Sequence, residues 1–124
     1  MSNTTKVAMA TTQSFDVFVK EVGNHRGNPR LYFQNATMLP HYGFTPGVPY
    51  AIGLMPPEAH EEQGIMQIKI DPMGSRKVCK KLVGKTMYSI IDVNVAVPAL
   101  TNVKAVSVSI TRGLIIIRPL EVAA

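Results

Sequence analysis

The sequence predicts an all-β or β-rich fold, a small barrel of two related strand–turn–hairpin units with one or two short helical turns. Two compositional facts and one pattern carry that expectation. Nine Pro and nine Gly in 124 residues punctuate the chain too often for long helices. With no Trp and only 6% aromatic residues, aliphatic side chains must fill the core. The pattern is an internal repeat. Arg30-Leu31-Tyr32 … Phe44 … Tyr50-Ala51-Ile52-Gly53-Leu54 returns 56 positions later, without a gap, as Thr86-Met87-Tyr88 … Leu100 … Val106-Ser107-Val108-Ser109-Ile110. Each copy closes on a Gly-led apolar strand, 64–69 and 113–118.

A chain of this length forms one domain, and 46% hydrophobic residues with a mean hydropathy of +0.12 exclude disorder. Residues 1–13, polar and Thr-rich, read as a mobile tail ahead of a single β-rich domain at 14–124. Within it the repeat-like units span about 30–70 and 86–119, joined by a basic bridge at 71–85.

Phe15, Val17 and Val19 alternate with Asp16 and Lys20, the signature of a half-buried strand. Residues 23–29 form a loop. The first unit opens with strand 30–34, after which Asn35 or Thr37 is positioned to cap a helical turn over 38–42, ended by Gly43. The turn Thr45-Pro46-Gly47 feeds strand 48–54, and an acidic loop at 55–63 separates it from the return strand 64–70. In the bridge, periodicity leaves 76–82 open between a strand and a short helix. The second unit has strand 86–92, a turn region ending at 98–102, and a hairpin of 104–111 and 113–118 around Arg112-Gly113. Leu114-Ile115-Ile116-Ile117 has no polar face and reads as a central strand covered on both sides. The expected core is Phe15, Val17, Leu31, Leu39, Phe44, Ile52, Leu54, Ile68, Ile70, Ile90, Leu100, Val106, Val108, Ile110, Ile115 and Ile117.

Catalytic chemistry finds no footing in this pattern. His25, His41, His60 and Cys79 lack metal-ligand spacing, so neither a metal nor a cofactor is expected. Glu58, Glu61 and Glu62 sit in a polar, Pro-containing loop, which cannot split their pKa values as an acid–base pair requires. There is no phosphate-cradling Gly loop and no nucleophile elbow, and Gly74-Ser75 reads as an ordinary turn. The lone Cys79, the absence of a signal-peptide pattern and the lack of any apolar run near about 18 residues lead to the expectation of a cytoplasmic, non-membrane protein.

Charge is the stronger signal. The formal net charge is +5 and the pI about 9.6, which favours a polyanionic partner. Arg76, Lys77, Lys80, Lys81 and Lys85 place five bases in ten positions with no acid among them. Such a patch binds phosphates by Coulomb attraction and counterion release, although lysines on an edge strand also block unwanted strand pairing. Arg26 and Arg30, flanking the Gly-Asn-Pro loop, are a second candidate contact.

Met38-Leu39 … Gly43-Phe44-Thr45-Pro46-Gly47-Val48-Pro49-Tyr50 is similar to the swapped-hairpin barrels of the AbrB/SpoVT type and their SymE-like relatives. The ending 106–119, with Gly113 before an apolar strand and Pro119, resembles the close of the same unit. The resemblance implies a barrel, dimerisation and DNA binding by a transcription regulator; this chain departs from the type in its acidic hairpin tip and its basic bridge. The expected function is therefore a non-enzymatic DNA-binding regulator, from a phage or mobile element, acting as a homodimer. The alternatives are a protein-interaction module, such as an inhibitor of a host enzyme or an assembly subunit, using the 55–63 loop, and a small-molecule-binding barrel or enzyme. The almost wholly aliphatic inward faces count against the last.

Overall fold

The computed structural model describes residues 15–55, 65–93, 100 and 103–122. The expected tail at 1–13, the acidic loop tip with Glu58, His60, Glu61 and Glu62, and most of the 98–102 turn lie outside these residues. What is described is β-rich, as predicted. Ten strands follow in chain order: β1 (Asp16–Glu21), β2 (Gly23–His25), β3 (Asn28–Asn35), β4 (Pro49–Met55), β5 (Ile65–Ile70), β6 (Arg76–Lys77), β7 (Cys79–Val83), β8 (Thr86–Val93), β9 (Val103–Thr111) and β10 (Leu114–Val122). A single helical turn, α1 (Met38–His41), joins β3 to β4. The segment left open by periodicity, 76–82, is strand.

The strands form two antiparallel sheets around one core, an arrangement compatible with a small barrel. The larger has the order β1-β9-β10-β5-β4-β6 and the smaller β2-β3-β8-β7. Both orders are palindromic if the chain is divided between β5 and β6, pairing β1 with β6, β2 with β7, β3 with β8, β4 with β9 and β5 with β10. The duplication thus covers five strands per unit, and the basic bridge is the opening of the second unit.

Backbone register makes the correspondence residue by residue. Val22 N donates to Lys104 O at 2.9 Å, and 56 positions on Val78 N donates to Val48 O at 3.0 Å. Glu21 faces Ala105 as Lys77 faces Pro49. Ile52 opposes Ile68 as Val108 opposes Ile117. The stretch 30–34 behaves differently from the gapless expectation. Gly23, Asn24 and His25 pair with Arg30, Pro29 and Asn28, and Cys79, Lys80 and Lys81 pair with Ile90, Ser89 and Tyr88. Leu31 is therefore the counterpart of Ile91, not of Met87. The second hairpin holds two additional rungs, Leu82–Met87 and Val83–Thr86, and the connection before β9 is correspondingly shorter.

The core gathers Leu31, Phe33, Leu39, Phe44, Tyr50, Met66, Ile68, Ile91, Val93, Leu100, Val106, Val108, Ile110, Ile115 and Ile117. Ten of these were expected, and three of the six expected residues that fall outside this set, Phe15, Val17 and Ile90, do so through strand parity. Phe15 and Val17 are 60% and 58% exposed, because β1 pairs Phe18 with Val108 and so places Phe18 and Lys20, both half-buried, on the core side. Phe18 meets Phe33 edge-on at 6.5 Å, Lys20 lies 5.4 Å from the centre of the same ring, and Asp16 accepts a 2.8 Å hydrogen bond from the Tyr42 hydroxyl. Ile90 is only half-buried because Ser89, Ile91 and Val93 take the inner face of β8. Ile52 and Ile70 are also half-buried, and Leu54, at the open end of β4, is 52% exposed.

The helical turn is capped by the first of its two candidates. The Asn35 side-chain oxygen accepts from Thr37 N at 2.9 Å and Leu39 N at 3.1 Å, and Gly43, at φ +95°, ends the turn. Gly74 is more than the ordinary turn residue its sequence context implies. A Cβ there would overlap the backbone carbonyl of Tyr50, so the turn that feeds β6 can lie against β4 only with glycine. Gly74→Ala should lower stability by about 3 kcal/mol, as for other overpacked sites. Thermal unfolding would register this as a Tm lower by roughly 12 °C.

Candidate nucleic-acid interface

Val78 is the pivot of the basic segment. It is buried, hydrogen-bonded to Val48 on one side and to Gly47 N at 2.8 Å on the other. Around it the chain passes from one sheet to the other: β6 is an edge of the six-stranded sheet and β7 an edge of the four-stranded one. The five bases of this segment are thereby strung along one ribbon. Lys77, Lys80, Lys81 and Lys85 are exposed, and no acid occurs between Asp71 and Asp92.

Arg76 differs from the other four. It faces Tyr50 in the β6–β4 pairing and is half-buried. Burial raises the Tyr50 pKa above its ordinary value of 10.0, and the adjacent Arg76 guanidinium pulls in the other direction. Arg76 is thus engaged with the core edge.

Arg26 and Arg30 belong to the other hairpin of the four-stranded sheet, β2–β3. Arg26 occupies the two-residue turn between β2 and β3 with φ 54°, followed by Gly27 at φ 87°. Along the β3·β8 register, Arg30 lies nine residues, roughly 30 Å, from the ribbon's tip at Lys85, and about four residues, roughly 13 Å, from the level of Cys79 at its base. The Arg30 guanidinium is committed locally. Its Nε and Nη2 donate to the two carboxylate oxygens of Asp92 at 3.0 and 2.8 Å, and it lies 4.8 Å from the Tyr32 ring centre. The Asp92 hydrogen bond is the main reason its pKa is raised. Beside it an open cleft of about 360 Å³ is lined by Lys20, Glu21, Gly23, Asn24, Arg30 and Tyr32.

The lysines lead onto a feature that sequence reasoning missed. β3 pairs with β8 only as far as Asn35–Ser89, so from Lys81–Tyr88 outward β7 and β8 continue as a two-stranded hairpin. Every residue from Cys79 to Met87 is exposed. Leu82, Val83 and Met87 are 61%, 49% and 42% exposed. Gly84, at φ +62°, opens the Gly84-Lys85 turn. Gly at the first of two turn residues between strand-forming runs is the signal that would have revealed it.

Among the described residues no three His, Cys, Asp or Glu side chains cluster as metal ligands, and no helix is long and apolar enough to cross a membrane. His41 stacks edge-on against Tyr42, and Cys79 is an exposed free thiol. No family model, curated protein or solved structure matches the chain.

Because Tyr50 is held neutral by burial, its contribution to stability is complete below its unfolded pKa near 10.0 and is lost as pH rises through the higher folded value. Chemical denaturation from pH 8 to about pH 11 should show a steeper alkaline loss for the native chain than for Tyr50→Phe. Equal slopes would remove this residue from the pH dependence.

Proposed function

We propose that the protein is a non-enzymatic DNA-binding protein whose phosphate contacts come from Lys77, Lys80, Lys81 and Lys85. The observation that carries this reading is the exposed, acid-free lysine ribbon running from β6 to the tip of the β7–β8 hairpin. Edge protection is a weaker account of those lysines. β2 is the other edge of the same sheet, and its residues Gly23, Asn24 and His25 include no lysine. The net charge of +5 adds long-range attraction for a polyanion. Arg76 supports the ribbon through Tyr50, and Arg26 and Arg30 fall outside the contact set. A role as a transcription regulator rests on the resemblance to AbrB/SpoVT-type barrels. Of the alternative protein-binding loop at 55–63, residues 56–63 lie outside the described residues.

Gel shifts with a mixed 30-base-pair duplex should show binding near about 50 mM salt that weakens steeply as salt rises. Each Lys→Ala change at Lys77, Lys80, Lys81 or Lys85 should reduce the salt slope by about 0.9 and weaken binding to all sequences alike. An absence of binding at low salt sinks the reading.

We further propose that two copies pair through β1. Among the described residues it is a sheet edge with no further strand beside it, and Phe15, Val17 and Val19 expose a continuous apolar face along it. Light scattering at about 100 μM should return a dimer mass, and Val17→Lys should return a monomer, since an inserted charge blocks edge pairing.

A further inference from the structure

The β7–β8 hairpin contains something the fold does not require. Its counterpart, the β2–β3 hairpin, closes with Arg26-Gly27 immediately after the His25–Asn28 rung. The second hairpin passes the equivalent rung, Lys81–Tyr88, and adds Leu82–Met87 and Val83–Thr86 before Gly84-Lys85 turns the chain. These two rungs carry three exposed apolar side chains and join no core cluster. An insertion serving only to shield an edge would carry charge, not Leu, Val and Met at its tip.

We infer that this extended hairpin is an arm that enters the major groove of duplex DNA, with Lys80 and Lys81 gripping phosphates at the rims and Leu82, Val83 and Met87 meeting base edges. The inference rests on the DNA-binding reading above and deepens it. Charge complementarity names the partner, because the arm and its base hold four exposed lysines and no acid. Dimensions name the groove. Three residues beyond Lys81–Tyr88 extend the arm by about 10 Å, close to the ~8.5 Å depth of the major groove. Two strands about 4.8 Å apart, with side chains on both faces, fit a groove about 12 Å wide but not the ~6 Å minor groove.

The paired strands also distribute the side chains to both walls. Residues opposite one another share a face, so Lys80, Leu82 and Met87 lie on one face and Lys81, Val83, Thr86 and Tyr88 on the other. Each face therefore offers a cation near the arm's base and an apolar group near its tip. Cations there meet the groove's phosphate rims, and apolar groups reach the floor, where thymine methyl groups are exposed.

The test removes Leu82, Val83, Thr86 and Met87 together, which restores the hairpin length of the first unit and keeps every lysine. Fluorescence anisotropy with a 30-base-pair duplex compares this variant with the full chain, and Tm confirms that both are folded. A second duplex carries glucosylated hydroxymethylcytosine, whose sugars fill the major groove and leave the phosphates unchanged. The inference expects about a tenfold weaker complex for the shortened arm, and a similar loss when the full chain meets the glucosylated duplex. Leu82→Ser with Met87→Ser, on an intact hairpin, should weaken binding in the same direction. Full-strength binding by the shortened chain or to the glucosylated duplex overturns the arm and leaves the lysine reading standing. No binding by the full chain to either duplex at low salt overturns both.

Discussion

The antiparallel seam between β5 and β10 is the interaction on which the rest of the structure depends. Ile68 opposes Ile115 and Met66 opposes Ile117 across it, and all four side chains are excluded from solvent. Full burial of such side chains stabilises by about 1.5–3 kcal/mol each, so this seam alone is comparable with the net stability of a small domain. Its consequence is topological as well as energetic. Each hairpin presents its second strand to the other, and the first strands, β4 and β9, are thrown outward to receive β6 and β1 from the opposite unit. The chain is closed by exchange: β1 completes the second unit's hairpin and β6 the first's.

That exchange explains which positions are interchangeable and which are not. Val22 and Val78 make the same backbone contact to Lys104 and Val48 because each begins the crossing from one sheet to the other. Lys20 and Arg76, their paired predecessors, both lie half-buried beside an aromatic ring, Phe33 and Tyr50 respectively. Upstream of that point the units part. β1 runs on for six residues as an edge strand, whereas β6 is two residues long because Gly74 folds the preceding turn onto the Tyr50 backbone. Among the described residues, one unit has a long unpaired edge at β1, and the other has its edge covered by the turn before β6.

Much of this was legible in the sequence, for a physical reason. Pairs such as Ile52–Ile68 and Val108–Ile117 are repeated hydrophobic contacts in the same hairpin register, and a repeat survives in chemical type where the contacts are buried. The face of β1 was misread because apolar alternation identifies a strand without saying which side the partner strand makes inward. Phe18 and Lys20 take the core side because their neighbours on β9 are the buried Val108 and Val106. The gapless repeat failed between Arg30 and Gln34 because two compensating length changes cancel: the added rungs in the arm and the shorter path into β9. Composition exposes neither. The lysines were visible in the sequence, but not the hairpin that carries them, since 76–82 has no decisive period and its strand state is imposed by pairing with β4 at 76–77 and with β8 from Cys79 onward.

A duplicated fold also provides its own control for what the charges are for. At matched positions the first unit has Glu21, Asn24 and His25 where the second has Lys77, Lys80 and Lys81. The backbone pairing at these places is the same in both units, so the pairing itself does not call for lysine. Packing is no better an explanation, because the three lysines are exposed. The same comparison separates Arg76, whose counterpart Lys20 is likewise drawn to an aromatic ring and whose charge therefore has a role in the fold. Placing three cations on an exposed edge, beside a hairpin lengthened by apolar rungs, adds self-repulsion and solvent-exposed hydrophobic area at once. A polyanionic surface relieves the first and a groove floor covers the second, which is why the two departures from symmetry are most economically read as one site.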